Sequence, residues 1–93
     1  MSVKVRIPTQ LRSLSGGAGE VEVDGSTVGE ALKALDSAHP GFAERLFDDS
    51  GNLRRFVNVF MGEEDIRFLD GLGTPVPAGA VVSVVPAVAG GSH

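Results

Sequence analysis

The C-terminal sequence VPAVAGGSH is the part of this chain best suited to chemistry. Gly90 and Gly91 follow a valine-rich segment, and Ser92 and His93 come after them. Because glycine has no Cβ, a tail of Ala89, Gly90 and Gly91 fits a narrow channel and allows close approach of another backbone. A chain that ends at Gly91 presents a terminal carboxylate, and adenylation by ATP turns that group into a good acyl donor. Sulfide or a persulfide could then take the acyl group and leave a thiocarboxylate.

Side chains that support other chemistry are scarce. The chain has no cysteine, which excludes disulfides and thiolate chemistry. His39 has no cysteine or carboxylate cluster beside it and stands at a predicted helix end, where an imidazolium meets the last carbonyls favourably. The acidic runs at 48–49 and 63–65 lack the ligand spacing of a calcium loop. No serine lies in a nucleophile elbow, and SGGAG lacks the lysine of a phosphate loop. We therefore expect a protein that is not an enzyme and binds no metal or cofactor.

Length and charge narrow the class further. The 93 residues suit one domain, and the net charge of −4 argues against a nucleic-acid partner. The one basic pair, Arg54-Arg55, is expected to lie within a strand. No long apolar stretch suggests a signal peptide or a membrane span, so we expect a cytoplasmic protein without a membrane partner.

Alternation of apolar and polar residues predicts the strands. VKVRIP from Val3 and EVEV at Glu20–Val23 have a period of two and predict a hairpin. LRRFVNVFM at Leu53–Met61 predicts the strongest strand, and DIRF at Asp65–Phe68 predicts a short one. AVVSVVP at Ala80–Pro86 is almost continuously apolar, which predicts a central strand that is buried on both faces.

A single main helix is predicted between the hairpin and the later strands. Thr27 and Glu30 form a capping box at its start, and Pro40-Gly41 ends it. The segment FAERLF then suggests a further short turn of helix, and Ala78-Gly79 a tight turn. This order predicts an α+β fold of the β-grasp type, a mixed sheet of four to five strands with one main helix across one face. We expect the domain to span 1–86 and a flexible tail to span 87–93.

Two sets of apolar side chains have different expected roles. Phe56 and Phe60 fall on the strand face opposite Val57 and Val59, and we expect at least one of them to stay partly exposed as a docking site for partner enzymes. The expected core comprises Val3, Val5, Ile7, Val28, Leu32, Leu35, Val57, Val59, Val82 and Val84.

Several segments of the chain, taken together with this element order, resemble those of a known family. The chain resembles the MoaD/ThiS family of ubiquitin-like sulfur carriers over nearly its whole length, and it is similar to the CysO branch of that family. The last of the matching segments is the most specific, and Gly91 matches the family's reactive terminal glycine. The segments are RIPTQLR at Arg6–Arg12, ERL at Glu44–Leu46, RFVNVF at Arg55–Phe60, EDIRF at Glu64–Phe68 and VPAVAGG at Val85–Gly91.

The resemblance implies a reaction cycle carried out by partners. An E1-like adenylating enzyme consumes ATP to activate the terminal carboxylate, and a sulfur donor converts it to a thiocarboxylate. In the CysO branch a cysteine synthase that uses pyridoxal phosphate accepts the sulfur, and a JAMM-type zinc peptidase releases cysteine. The family implies no cofactor bound to the carrier itself.

Ser92 and His93 depart from the family pattern, in which the mature chain ends at the second glycine. The two residues are explained by addition with an expression tag, by a masked tail that a JAMM-type peptidase trims, or by loss of carrier function. Two other functions are also compatible with the same tail. One is a ubiquitin-like modifier that is conjugated through Gly91 to lysine, and the other is an interaction domain with an inert tail.

Overall fold

A computed structural model describes residues 2–55 and 57–86 of the chain. The strands and helices follow the predicted order, with three short 3-10 turns at Thr9–Leu11, Ile66–Phe68 and Gly71–Gly73. They are β1 (Ser2–Arg6), β2 (Glu20–Asp24), α1 (Val28–Ala38), α2 (Phe42–Leu46), β3 (Val57–Met61), β4 (Glu64–Asp65) and β5 (Val81–Pro86).

The strands form one mixed sheet in the order β2-β1-β5-β3-β4. β1 and β2 form the predicted antiparallel hairpin, and β5 lies between β1 and β3, parallel to the first and antiparallel to the second. The predicted central position of the last strand is therefore confirmed. With α1 covering one face of the sheet, the predicted β-grasp architecture is confirmed as well.

Helix α1 begins where the capping box predicts. The Thr27 hydroxyl oxygen accepts a hydrogen bond from the Glu30 amide at 3.2 Å. The Glu30 carboxylate accepts one from the Ser26 amide at 2.9 Å and one from the Ser26 hydroxyl at 2.7 Å, and these bonds lower the pKa of Glu30. Gly25 stands just before this turn, where a Cβ would lie 2.7 Å from the backbone nitrogen of Ala31. The close approach therefore requires glycine at this position.

The core lies between the sheet and the helices. All ten predicted core side chains are buried. Helix α2 adds Phe42 and Leu46 to the core, and the segments after β4 add Ile66 and Val76. The short second helix and the turn at Ala78-Gly79 are also confirmed: Gly79 has a φ of 83°, and the Ala80 amide donates to the Pro77 carbonyl.

Three strand predictions are wrong in part. The segment before β3 is not a strand: the Arg54 amide donates to the Leu46 carbonyl, so the Arg54-Arg55 pair lies outside the sheet ladder. The predicted short strand is displaced: it is β4 at Glu64–Asp65, and the rest of DIRF is a 3-10 turn, because the Asp65 carboxylate accepts from the Arg67 amide at 2.8 Å. Finally, β5 is buried on one face only, since none of the helices in the described residues covers the other face and Val85 is 44% exposed.

Candidate functional site

The tail that the sequence singles out follows directly from the central strand. β5 ends at Pro86, which is the cross-strand partner of Val57 at the start of β3. On the other side of β5, Arg6 at the end of β1 is the partner of Ser83. Residues 87–93 continue the chain from this end of the sheet. The predicted site residues Ala89, Gly90, Gly91, Ser92 and His93 lie outside the described residues.

The sheet face opposite α1, which we call the open face, carries Phe60. Cross-strand pairing places Phe60 opposite Ser83 and Asn58 opposite Val85. Directly opposed residues share a face, and these residues alternate along the strands with the buried core valines. Phe60 is half-buried, and Val85 is exposed. Two apolar side chains therefore lie on the open face on neighbouring strands, and Val85 is next to Pro86, where β5 ends.

The partial exposure expected of Phe56 or Phe60 is found at Phe60, and Phe56 lies outside the described residues. The docking role of these side chains stays a prediction. Val85 was not singled out as a surface residue, although the period of two along β5 could have separated it from Val82 and Val84.

A second exposed apolar site was also missed by sequence reasoning. Phe68 is 85% exposed at the end of the 3-10 turn after β4, and Leu69 beside it is 36% exposed. The segment was predicted as a strand, in which alternation would have turned every second side chain toward the core. The 3-10 turn instead buries Ile66 and turns Phe68 to solvent.

The ion pairs in the described part of the fold lie at its surface. The Glu20 carboxylate lies 3.9 Å from both the Lys4 amine and the Arg6 guanidinium, and these exposed pairs contribute little to stability. Within residues 2–55 and 57–86, no three histidine, cysteine, aspartate or glutamate side chains are grouped closely enough to hold a metal ion.

None of the helices in the described ranges combines the length and the apolar character that crossing a membrane requires.

Comparisons with known proteins place this geometry in a family. The model of the ThiS family matches residues 5–91, and the match ends at Gly91. The sulfur carrier protein CysO of Mycobacterium tuberculosis is 45% identical over 93 residues, which cover 98% of this chain and 100% of that protein.

Solved structures support the same assignment. A chain in the crystal structure of the Amycolatopsis orientalis BexX/CysO complex has a TM-score of 0.89 and 44% identity, over 96% of this chain and 99% of its own length. The crystal structure of SAMP1 from Haloferax volcanii has a TM-score of 0.83 and 34% identity, over 98% of this chain and 100% of its own. The sheet order, the match of the family model and these relatives together show that this chain belongs to the ThiS family.

Proposed function

We propose that this chain is a sulfur carrier that works through the carboxylate of Gly91. Once exposed, that carboxylate is adenylated by an E1-like partner and converted to a thiocarboxylate, which donates sulfur in the biosynthesis of cysteine or another sulfur-containing metabolite. The observation that carries this proposal is the position of the Gly90-Gly91 sequence, directly downstream of the central strand in a chain whose family match ends at residue 91.

The proposed steps need no catalytic side chain on the carrier. A carboxylate oxygen of Gly91 attacks the α-phosphorus of ATP, and pyrophosphate leaves. Sulfide attacks the acyl carbon of the resulting adenylate, and AMP leaves as the carbon–sulfur bond forms. The product is a nucleophilic sulfur on a chain that has no cysteine of its own. The fold contributes a stable body from which the tail reaches the partner's active site.

The partners are enzymes that act on the tail. The A. orientalis relative forms a complex with BexX, which supports a complex of this carrier with a partner protein. We propose three partners: the E1-like adenylating enzyme, a sulfur acceptor such as a cysteine synthase, and a JAMM-type zinc peptidase that trims the tail. The carrier binds no cofactor itself, and ATP is consumed by the adenylating partner.

The test uses the chain that ends at Gly91, mixed with an E1-like adenylating enzyme from the same organism, ATP and sulfide. Intact-mass measurement should show one oxygen replaced by one sulfur, and the replacement should require ATP. A chain that gains no sulfur under these conditions contradicts the proposal.

A protein modifier is the second candidate, because the H. volcanii relative is a small archaeal modifier protein. Lysine adducts formed through Gly91 in a lysate, without sulfur exchange in the purified reaction, would favour that function. An interaction domain with an inert tail would keep its role after deletion of Gly90 and Gly91.

Replacing Phe60 by serine should weaken docking to the adenylating enzyme. Loss of a buried interface aromatic commonly costs more than 1 kcal/mol, so we expect the KM for the Gly91-ended carrier to rise about tenfold. Phe68→Ser is the matched control, since it removes an exposed phenylalanine outside the open face. Thermal melting checks that both variants fold. Equal KM values for Phe60→Ser and the parent protein would show that the open face is not the docking site.

A further inference from the structure

Half of the basic side chains of this acidic protein lie at the end of the sheet from which the tail continues. Arg6 ends β1, and Arg12 lines the same surface cleft as Arg6, Val85 and Pro86. On the other side of β5, Arg55 and Arg67 flank the start of β3. We call Arg6, Arg12, Arg55 and Arg67 the basic collar. They are four of the eight lysines and arginines in a chain whose net charge is −4.

The opposite end of the sheet is acidic. Asp24 ends β2 there, and Glu63 and Glu64 lie at the turn between β3 and β4. Because the strands run between these two ends, these charges are separated along the strand direction, with Glu20 beside Arg6 as an acidic residue at the basic end. An approaching acidic surface is attracted to the tail end and repelled from the other end, so this separation orients the encounter.

Backbone carbonyls hold two collar guanidiniums in place. The Arg12 Nε donates to the Ile7 carbonyl at 3.1 Å. The Arg67 Nη2 donates to the Val57 carbonyl at 2.9 Å and to the Arg55 carbonyl at 3.2 Å, which ties this side chain to the residue opposite Pro86. A guanidinium has five N–H donors, so each of these groups keeps donors for another acceptor.

Carboxylates do not neutralise most of the collar. Among the residues that the structure describes, the ion pairs within 4.0 Å involve Arg6 and Lys4 with Glu20, and none involves Arg12, Arg55 or Arg67. Fixed guanidiniums that lack a carboxylate are suited to bidentate bonding with carboxylates of another protein. The exposed, oriented guanidiniums near Pro86, where β5 ends, therefore form an interaction surface.

We propose that the basic collar binds acidic side chains around the mouth of the channel that receives the tail in the adenylating enzyme. This inference rests on the proposed function, and it adds the chemistry of the partner's surface. The carrier's acidic far end and its net charge of −4 disfavour a long polyanion, which would meet both ends of the molecule. A local acidic rim, in contrast, meets only the collar.

The test measures the KM for the Gly91-ended carrier and its Kd for the same adenylating enzyme, at low and at high ionic strength. Arg55→Gln is suited to it because the Arg55 side chain is exposed and lies in a turn outside the sheet. We expect KM and Kd to rise about threefold in Arg55→Gln and about tenfold in Arg55→Glu at low ionic strength, with kcat unchanged. Both differences should shrink at high ionic strength, because salt screens exposed charges.

Lys33→Gln is the matched control, because it removes the same charge from the exposed side of α1, away from the collar. Melting temperatures of all variants should match that of the parent.

If the Arg55 variants bind like Lys33→Gln, the collar proposal is overturned. It is also overturned if the parent protein binds single-stranded RNA or phosphatidylserine vesicles, and Arg55→Glu abolishes that binding but leaves the Kd for the adenylating enzyme unchanged. Salt-sensitive, Arg55-dependent binding of the enzyme without thiocarboxylate formation would support the collar and contradict the proposed function.

Discussion

A chain that still carries Ser92 and His93 should gain no sulfur from an adenylating enzyme, ATP and sulfide, whereas the chain that ends at Gly91 should be converted. Adenylation needs a free carboxylate on the residue that will carry sulfur. In the longer chain Gly91 is held in a peptide bond, and the free carboxylate belongs to His93, whose imidazole would be too bulky for the narrow channel that we propose in the partner. Intact-mass analysis of both forms, each with and without ATP, measures the difference.

Removal of the two residues should restore the reaction. A JAMM-type zinc peptidase should cleave after Gly91 and produce the reactive form, and a zinc chelator added before the peptidase should prevent this. Incubation of the Gly91-ended chain with the same chelator, without peptidase, controls for effects on the adenylating enzyme. If sulfur is found on the uncut chain, at His93, then Ser92 and His93 do not block the reaction.

Replacing Gly90 by valine in the Gly91-ended chain should lower the rate of adenylation about 100-fold, with no change in melting temperature. The added side chain would meet the walls of the partner's channel and displace the carboxylate, and displacements of about 1 Å can cost this much. The rate of ATP-dependent pyrophosphate release measures the effect.

Gly73→Val is the matched control for Gly90→Val. A Cβ at Gly73 meets no heavy atom within 4 Å, so the same substitution there should leave adenylation unchanged. Equal adenylation rates for Gly90→Val and the parent would mean that the tail is not threaded through a narrow channel. A large fall in the melting temperature of Gly90→Val would instead indicate a structural role for the glycine.

The elements that sequence predicted well are those that local forces specify. The start of α1 depends on Thr27, Glu30 and their neighbours, and its buried face follows the helical period, so both are visible within a short window. The DIRF segment depends in part on a distant partner. The Asp65 carboxylate starts its 3-10 turn locally, and the Arg67 guanidinium donates to the Val57 carbonyl, ten residues earlier. No local pattern shows that contact.

The candidate site was predictable only in part, for a similar reason. The Gly90-Gly91 sequence and Phe60 are visible in the sequence, and the strand alternation gives the face of Phe60. The apolar run in β5 could not reveal which of its faces lacks a helix, so Val85 was predicted to be buried although it is exposed. The basic collar is assembled by the sheet order from residues far apart in the chain, which is why only Arg54-Arg55 stood out as a basic pair.

The central position of β5 has a mechanical consequence for the proposed carrier, whose tail partner enzymes would hold. A pull on the tail acts along β5, which is hydrogen-bonded to β1 on one side and to β3 on the other. The load therefore shears the hydrogen-bond ladders on both sides of β5 at once. It does not peel a strand from the edge of the sheet, where the hydrogen bonds would break one after another. A partner can draw the tail into its channel, hold it through a reaction and release it, while the domain that the tail belongs to stays folded.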